Sequence, residues 1–214
     1  MVHAVAAPSA RKLASPGWVE ELATGYSMAG PKTRLIVGLL AVAAVIVSFV
    51  SAPGTNGILG AALALLMLTI AVIDWHRFVI PNALSGAGLA LALVYAAVQE
   101  PNTMLASVAF AVLRGVILAA IFLLIRYAYA RMRGREGIGL GDVKLAGVAG
   151  AWLDWSMMPT VVEFAACAAL LVYLVRHFAG GQSLRATSRL PFGLFFAPAI
   201  WICWLLETTL SAPL

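Results

Sequence analysis

Asp74 and Asp142 are the residues of this chain best suited to chemistry, because each is an acid at the edge of a long apolar run. Asp74 follows the apolar run 58–73, and Asp142 stands in Gly-Ile-Gly-Leu-Gly-Asp-Val-Lys just before another. Ionisable groups at such positions are costly and often mark functional sites. Two carboxyls that met in a poorly hydrated site would share a proton, one acting as base and its partner as acid, which suits peptide hydrolysis. Position alone also allows a plainer role, in which each aspartate caps a helix or lies at the wetted membrane interface.

The composition identifies an integral membrane protein. Hydrophobic residues make up 63% of the 214 and charged residues only 11%, against roughly 25% charged in a soluble domain. The formal net charge of +5 does not indicate nucleic acid, because the basic residues recur in short clusters between apolar runs. The two cysteines, Cys167 and Cys203, lie in apolar runs without a CxxC pair, so neither a zinc ribbon nor a disulfide framework is supported.

The apolar runs predict an all-α, polytopic transmembrane helix bundle of about seven spans. A helix needs about 20 apolar residues to cross the hydrocarbon core. The fifth run is interrupted by Asp154 and is short for a full crossing. The predicted spans are 35–52, 57–74, 83–99, 104–126, 143–157, 160–177 and 190–210.

Lysine and arginine predict the orientation. Thirteen of the fourteen fall on one side, in the tail, in alternate loops or at the span ends beside them, and the positive-inside rule makes this side cytoplasmic; Arg114 alone lies well inside a span. This places the N-terminus inside and the C-terminus outside. Asp74 then ends a span that arrives at the cytoplasmic face, and Asp142, 68 residues later, begins a span that leaves it. Packing of spans two and five would bring both carboxyls together.

The chain divides into three predicted segments. Residues 1–34 are rich in proline and glycine and are predicted to form a flexible or interfacial cytoplasmic tail. Residues 35–52 form an additional N-terminal span. They resemble a signal peptide with a small-residue cleavage site, but Pro53 directly after that site favours an uncleaved span. The remaining membrane domain covers residues 57–210.

Three motifs resemble those of type IV prepilin peptidases. Asp74 followed by Ile80-Pro81-Asn82 looks like the first aspartate motif of that family. Gly139-Leu140-Gly141-Asp142, with Lys144 two positions on, is similar to the second, GxGD. Leu190-Pro191-Phe192-Gly193 resembles the Pro-Phe-Gly found late in the family. The resemblance covers roughly residues 57–210.

The resemblance implies a membrane aspartyl endopeptidase that acts without a metal or other cofactor. Asp74 and Asp142 would be the catalytic aspartates, with Gly139 and Gly141 shaping the site. The partners would be membrane lipid and pilin-like precursors, which lose a short basic leader at the cytoplasmic face of the cell membrane. The paired CxxC motifs of the methyltransferase region in larger members are missing here, so the chain resembles the compact, peptidase-only Flp or Tad branch; archaeal preflagellin peptidases are related.

Several alternatives stay open from the sequence. Presenilin-like proteases share the Gly-Leu-Gly-Asp spelling, but their Tyr-Asp and Pro-Ala-Leu motifs are not found. A proton-coupled transporter would also place carboxylates in the membrane, and an inactive scaffold subunit of a pilus or secretion assembly could keep the motifs.

Three further structural roles are also predicted from position. Lys144 either supports the site or extends its long stem toward the interface. Pro81-Asn82 is predicted to end one helix and cap the next. Arg114 needs an acidic partner within the bundle, and Glu163 is the candidate by depth.

Overall fold

The computed structural model describes residues 30–134, 137–180 and 191–210. Several sequence predictions lie outside these residues: the conformation of the tail before residue 30, the Gly181 turn, and Leu190 at the start of the last span. The basic residues outside the described ranges are Arg11, Lys12, Arg135, Arg185 and Arg189.

The described residues form seven α-helices and one short 3₁₀ turn, and they contain no strand. The predicted all-α bundle is confirmed. The helices are α1 (Pro31–Ser51), α2 (Thr55–Arg77), α3 (Asn82–Gln99), α4 (Met104–Arg133), α5 (Leu140–Trp152), α6 (Met157–Gly180) and α7 (Gly193–Leu210), with the 3₁₀ turn at Pro101–Thr103.

Six of these helices are long and apolar enough to cross a membrane, and α5 is the exception. Its 13 residues rise about 20 Å at 1.5 Å per residue, against a hydrocarbon core of about 30 Å. The helix ends at Trp152 because Leu153 is extended, and the predicted interruption at Asp154 lies in the turn beyond it. The fifth run is therefore a short helix within a bundle of six longer ones.

Small residues seat α5 against α4. A Cβ added to Gly115 would lie 2.7 Å from the carbonyl oxygen of Gly147, and one added to Gly150 would lie 2.5 Å from that of Arg114. Such close backbone approach is how helices associate where the hydrophobic effect between them is absent. Because Arg114 lies beside Gly150 whereas Tyr129 lies beside Gly137, the two helices run antiparallel. This packing fixes the position of α5 along α4, and α5 carries Asp142 in its first turn.

A second close contact joins α2 to α7. The indole of Trp204 lies against Gly60, where an added Cβ would be only 1.8 Å from the ring. Trp204 is fully buried, together with Leu63, Met67 and Phe196. The contact holds α2, which ends at the Asp74 region, against α7.

The first helix lies on the outside of the bundle. It packs mainly along α2, and most of its apolar side chains are exposed on the protein surface. One polar contact ties it to α7, because the indole N–H of Trp201 donates to Oγ of Ser48 at 3.0 Å. Its outward apolar surface suits contact with lipid.

Candidate active site

Asp74 lies in the last turn of α2 and is 5% exposed. The helix stops three residues later, where Phe78 takes a left-handed conformation (φ 55°) and its N–H donates to the Asp74 carbonyl oxygen at 2.9 Å. The negative end of the α2 dipole makes this an unfavourable place for a carboxylate. Helix capping therefore does not account for Asp74.

The N-terminus of α7 supplies hydrogen-bond donors to the Asp74 carboxyl. The Leu194 backbone N–H donates to Oδ2 of Asp74 at 2.9 Å, and the Gly193 N–H also bonds to this carboxyl. Free N–H groups and the positive dipole end make a helix N-terminus an anion site. Gly193 is essential to the contact, because an added Cβ would lie 2.8 Å from Oδ2 of Asp74.

Asp142 lies in the first turn of α5, where a carboxylate is favoured. Its Oδ2 accepts the backbone N–H of Gly139 at 3.2 Å, which is one half of a capping box. The capping role allowed from the sequence is therefore present for Asp142. It does not exclude chemistry, since the second carboxyl oxygen is not required by this bond.

Ile80 links the surroundings of the two acids. Its side chain lies 3.0 Å from the place where Gly141 would carry a Cβ and 2.8 Å from the corresponding place at Gly193, which itself adjoins Asp74. Side chains larger than hydrogen at either glycine would push Ile80 outward. Gly141 and Gly193 thus allow α5 and α7 to close around the end of α2.

The carboxyls of Asp74 and Asp142 are close enough to interact electrostatically. Burial raises the pKa of Asp142 from 3.8 to about 6, the Gly139 N–H lowers it, and the negative charge of Asp74 raises it further. Asp142 lies outside the six helices long enough to span a membrane. An acid that titrates near neutrality beside a second, buried acid can hold the shared proton that general acid–base chemistry requires.

The other predicted site residues surround Asp142 with distinct contacts. Gly139 donates the N–H described above, and Gly141 contacts Ile80. The ammonium of exposed Lys144 donates to Oδ1 of Asn82. Asn82 was expected to cap α3, but it is the first residue inside that helix and Pro81 occupies the N-cap position. Its side chain instead joins the start of α3 to α5.

Two residues of the site were not assigned a role from the sequence. Gly193 belongs to the quoted Pro-Phe-Gly motif, and Ile80 to Ile80-Pro81-Asn82, so the signal for both was their presence in the motifs. Their function in closing the site depends on contacts between α2, α5 and α7 that no single segment encodes.

The prediction that Arg114 pairs with Glu163 is wrong. The guanidinium of Arg114 forms an ion pair with Asp154 at 2.7 Å and also donates to the Gly150 carbonyl at 3.3 Å. Arg114 lies on the face of α4 that packs on α5, whereas Glu163 is exposed on α6. Depth in the membrane was a correct guide to the need for a partner but did not fix the rotation of α4.

The acid pair is one of two places among the described residues where acidic side chains interact, the other being Asp154 with Glu207. No group of three or more histidine, cysteine or acidic side chains lies close enough to hold a metal ion within residues 30–134, 137–180 and 191–210. Cys203 is buried and Cys167 is exposed on a different helix.

Comparison with known proteins agrees with the motifs. Residues 61–175 match the model of the type IV leader peptidase family. A prepilin leader peptidase/N-methyltransferase of Burkholderia pseudomallei is 44% identical over 93 residues, which cover 41% of this chain and 29% of that protein. The chain thus matches less than a third of that relative's length. The leader peptidase HopD of Escherichia coli is 35% identical over 126 residues, covering 58% of this chain and 72% of HopD.

A third relative extends the match along the chain. A prepilin leader peptidase/N-methyltransferase of Aeromonas hydrophila is 29% identical over 184 residues, covering 82% of this chain and 57% of that protein. No solved structure matches. With a family model matched over more than half of its residues and most of HopD aligned, the chain belongs to the type IV leader peptidase family.

Proposed function

We propose that this protein is a membrane aspartyl endopeptidase that removes the short basic leader of pilin-like precursors. The observation that carries the proposal is the convergence of Asp74 and Asp142 from α2 and α5, close enough for one charge to act on the other, in a member of the type IV leader peptidase family. The three relatives described above are named as leader peptidases.

The acid pair would work with one proton between its two carboxyls. The ionised carboxyl takes a proton from a water molecule, whose oxygen attacks the carbonyl carbon of the scissile peptide bond. The protonated carboxyl gives its proton to the carbonyl oxygen. The tetrahedral intermediate then collapses: the C–N bond breaks, the amine leaves with the proton held by the pair, and one hydroxyl of the intermediate returns its proton to the pair as the new carboxyl terminus forms. The pair titrates as a unit, so neither pKa belongs to one residue alone.

The two acids have different surroundings. Asp74 is nearly enclosed, and its carboxyl accepts two backbone N–H groups from α7. Asp142 is partly exposed and has its pKa raised to about 6. The resting pair is therefore proposed to share one proton, which either carboxyl can hold.

The site is proposed to face the cytoplasm. Described basic residues lie at the end of α2 and near the start of α5, which carry the two acids, and at the end of α4, which contacts the segment before α5. The positive-inside rule assigns these ends to the cytoplasmic side of the cell membrane. A basic leader would remain in the cytoplasm while the apolar helix that follows it enters the bilayer.

The chain is proposed to consist of a peptidase domain and an additional N-terminal span. Residues 57–210 form the peptidase domain, and α1 is an additional span that packs on its surface. Because the two cysteines lie apart on α6 and α7, we propose that this chain does not methylate its product and belongs to the compact Flp or Tad type.

The test is co-expression with a small precursor that has a Lys/Arg-rich leader, a glycine and then an apolar helix. Wild type should shorten the precursor, as measured by mass spectrometry. Asp74→Asn and Asp142→Asn should each abolish shortening while still accumulating in the membrane.

A matched control uses Asp154→Asn, which removes an acid near the other end of α5. It should cleave normally. Cleavage by either dyad variant would reject the acid pair. An intact precursor with wild type would instead favour a scaffold or carrier role.

A further inference from the structure

Two side chains of α4, one turn apart, contact the short segment before α5. The guanidinium Nη1 of Arg126 donates to the carbonyl oxygen of Ile138. Tyr129 covers Gly137, so that a Cβ added there would lie 2.5 Å from Cδ1 of the ring. Residues three apart lie on the same face of a helix, so α4 presents both groups to residues 137–139 together.

The bond from Arg126 reaches the peptide group that binds Asp142. The carbonyl of Ile138 and the N–H of Gly139 belong to one planar unit, in which a trans peptide points them in opposite directions. Arg126 donates to the oxygen of this unit, and the Gly139 N–H of the same unit donates to Oδ2 of Asp142 at 3.2 Å. Fixing the direction of the carbonyl therefore fixes the direction of the N–H. A cationic donor on the oxygen also polarises the peptide and strengthens its N–H as a donor.

We propose that Arg126 is a positioning residue for Asp142, acting through the Ile138–Gly139 peptide group. The inference rests on the proposed function, because it assigns Arg126 to the orientation of one member of the acid pair. Loss of Arg126 frees the peptide plane to rotate, and the carboxyl of Asp142 loses the fixed N–H that orients it. Glycine on both sides of Ile138 makes this segment unusually free to rotate without such a restraint.

The test measures kcat and KM of the purified full-length chain with a synthetic precursor peptide. Arg126→Gln should lower kcat about 10- to 100-fold, as expected for small misplacement of a catalytic group, with KM changed less than about twofold. Arg126→Lys keeps a cationic donor and should recover part of kcat. Arg131→Gln removes a charge from an exposed position of the same helix and should match wild type.

A second perturbation reaches the same peptide segment without altering Arg126. Gly137→Ala places a methyl against the ring of Tyr129 and should also lower kcat. Combining it with Tyr129→Ala removes the clash and should restore part of the loss.

The outcomes separate this inference from the proposed function. Wild-type kcat in Arg126→Gln would overturn the positioning role while leaving the peptidase assignment intact. A rise in KM matching the loss in kcat/KM would also overturn it, because Arg126 would then bind substrate directly. Failure of wild type itself to cleave would reject the proposed function instead.

Discussion

Replacing Gly193 with alanine tests the contact between α7 and Asp74. The added methyl would lie 2.8 Å from both Oδ2 of Asp74 and Cδ1 of Ile80, where ordinary contacts are 3.4–4 Å. Relief requires a shift of about 0.6 Å, which would stretch the 2.9 Å bond from the Leu194 N–H toward the limit of a hydrogen bond. Overpacking costs about 1–3 kcal/mol, and the weakened bond to a charged group costs up to about 1.5–3 kcal/mol.

We expect Gly193→Ala to lower the thermal unfolding temperature and to reduce precursor cleavage about 100-fold. The matched control is Gly86→Ala on α3, because a Cβ at Gly86 meets no atom within 4 Å. Alanine there should leave cleavage unchanged and stabilise the helix by up to about 1 kcal/mol. Cleavage and unfolding at wild-type values in Gly193→Ala would refute the assignment of the α7 N-terminus as the support of Asp74.

Three further predictions concern stability, measured by thermal unfolding of the purified protein. Asp142→Asn should match wild type near pH 4 and become more stable than wild type as pH rises through about 6, because the raised pKa of Asp142 makes its ionisation destabilising. The gain should reach about 2 kcal/mol above pH 7, allowing for partial exposure; a loss at pH 8 would contradict it. Arg114→Gln should lower the free energy of unfolding by about 2 kcal/mol, because it loses two bonds. Asp154→Asn should lower it by less than about 1 kcal/mol, because the Asp154 side chain is 63% exposed. The reverse order of the two losses would contradict these contacts. Gly60→Ala should cost about 3 kcal/mol or more, because the fully buried Trp204 lies where the methyl would go; near-neutral stability would refute that packing.

The helices were largely predictable because a membrane span leaves a strong local signal. Each predicted run overlaps mainly one observed helix, with ends that differ by up to seven residues, as for run 104–126 and the helix Met104–Arg133. That extension carries Tyr129, whereas Arg126 is the last residue of the predicted run; both side chains contact the segment before Asp142. A hydropathy pattern does not predict where such a helix ends, because charged and aromatic residues are common at the membrane interface.

The acids were predictable as a pair, but the contacts around them were not. Asp74 and Asp142 stand out because ionisable groups next to apolar runs are rare. The role of Gly193 depends on how closely α7 approaches α2, and the partner of Arg114 depends on the rotation of α4. Both follow from packing between distant segments, which neither hydropathy nor charge position specifies.

The most direct measurement is cleavage of a synthetic precursor peptide by the purified full-length chain in lipid nanodiscs, followed by mass spectrometry. Wild type should yield two products, cut after the glycine that precedes the apolar segment. Asp74→Asn and Asp142→Asn should yield none while unfolding cooperatively. Cleavage by either variant, or an intact precursor after prolonged incubation with folded wild type, would contradict peptide hydrolysis by the acid pair.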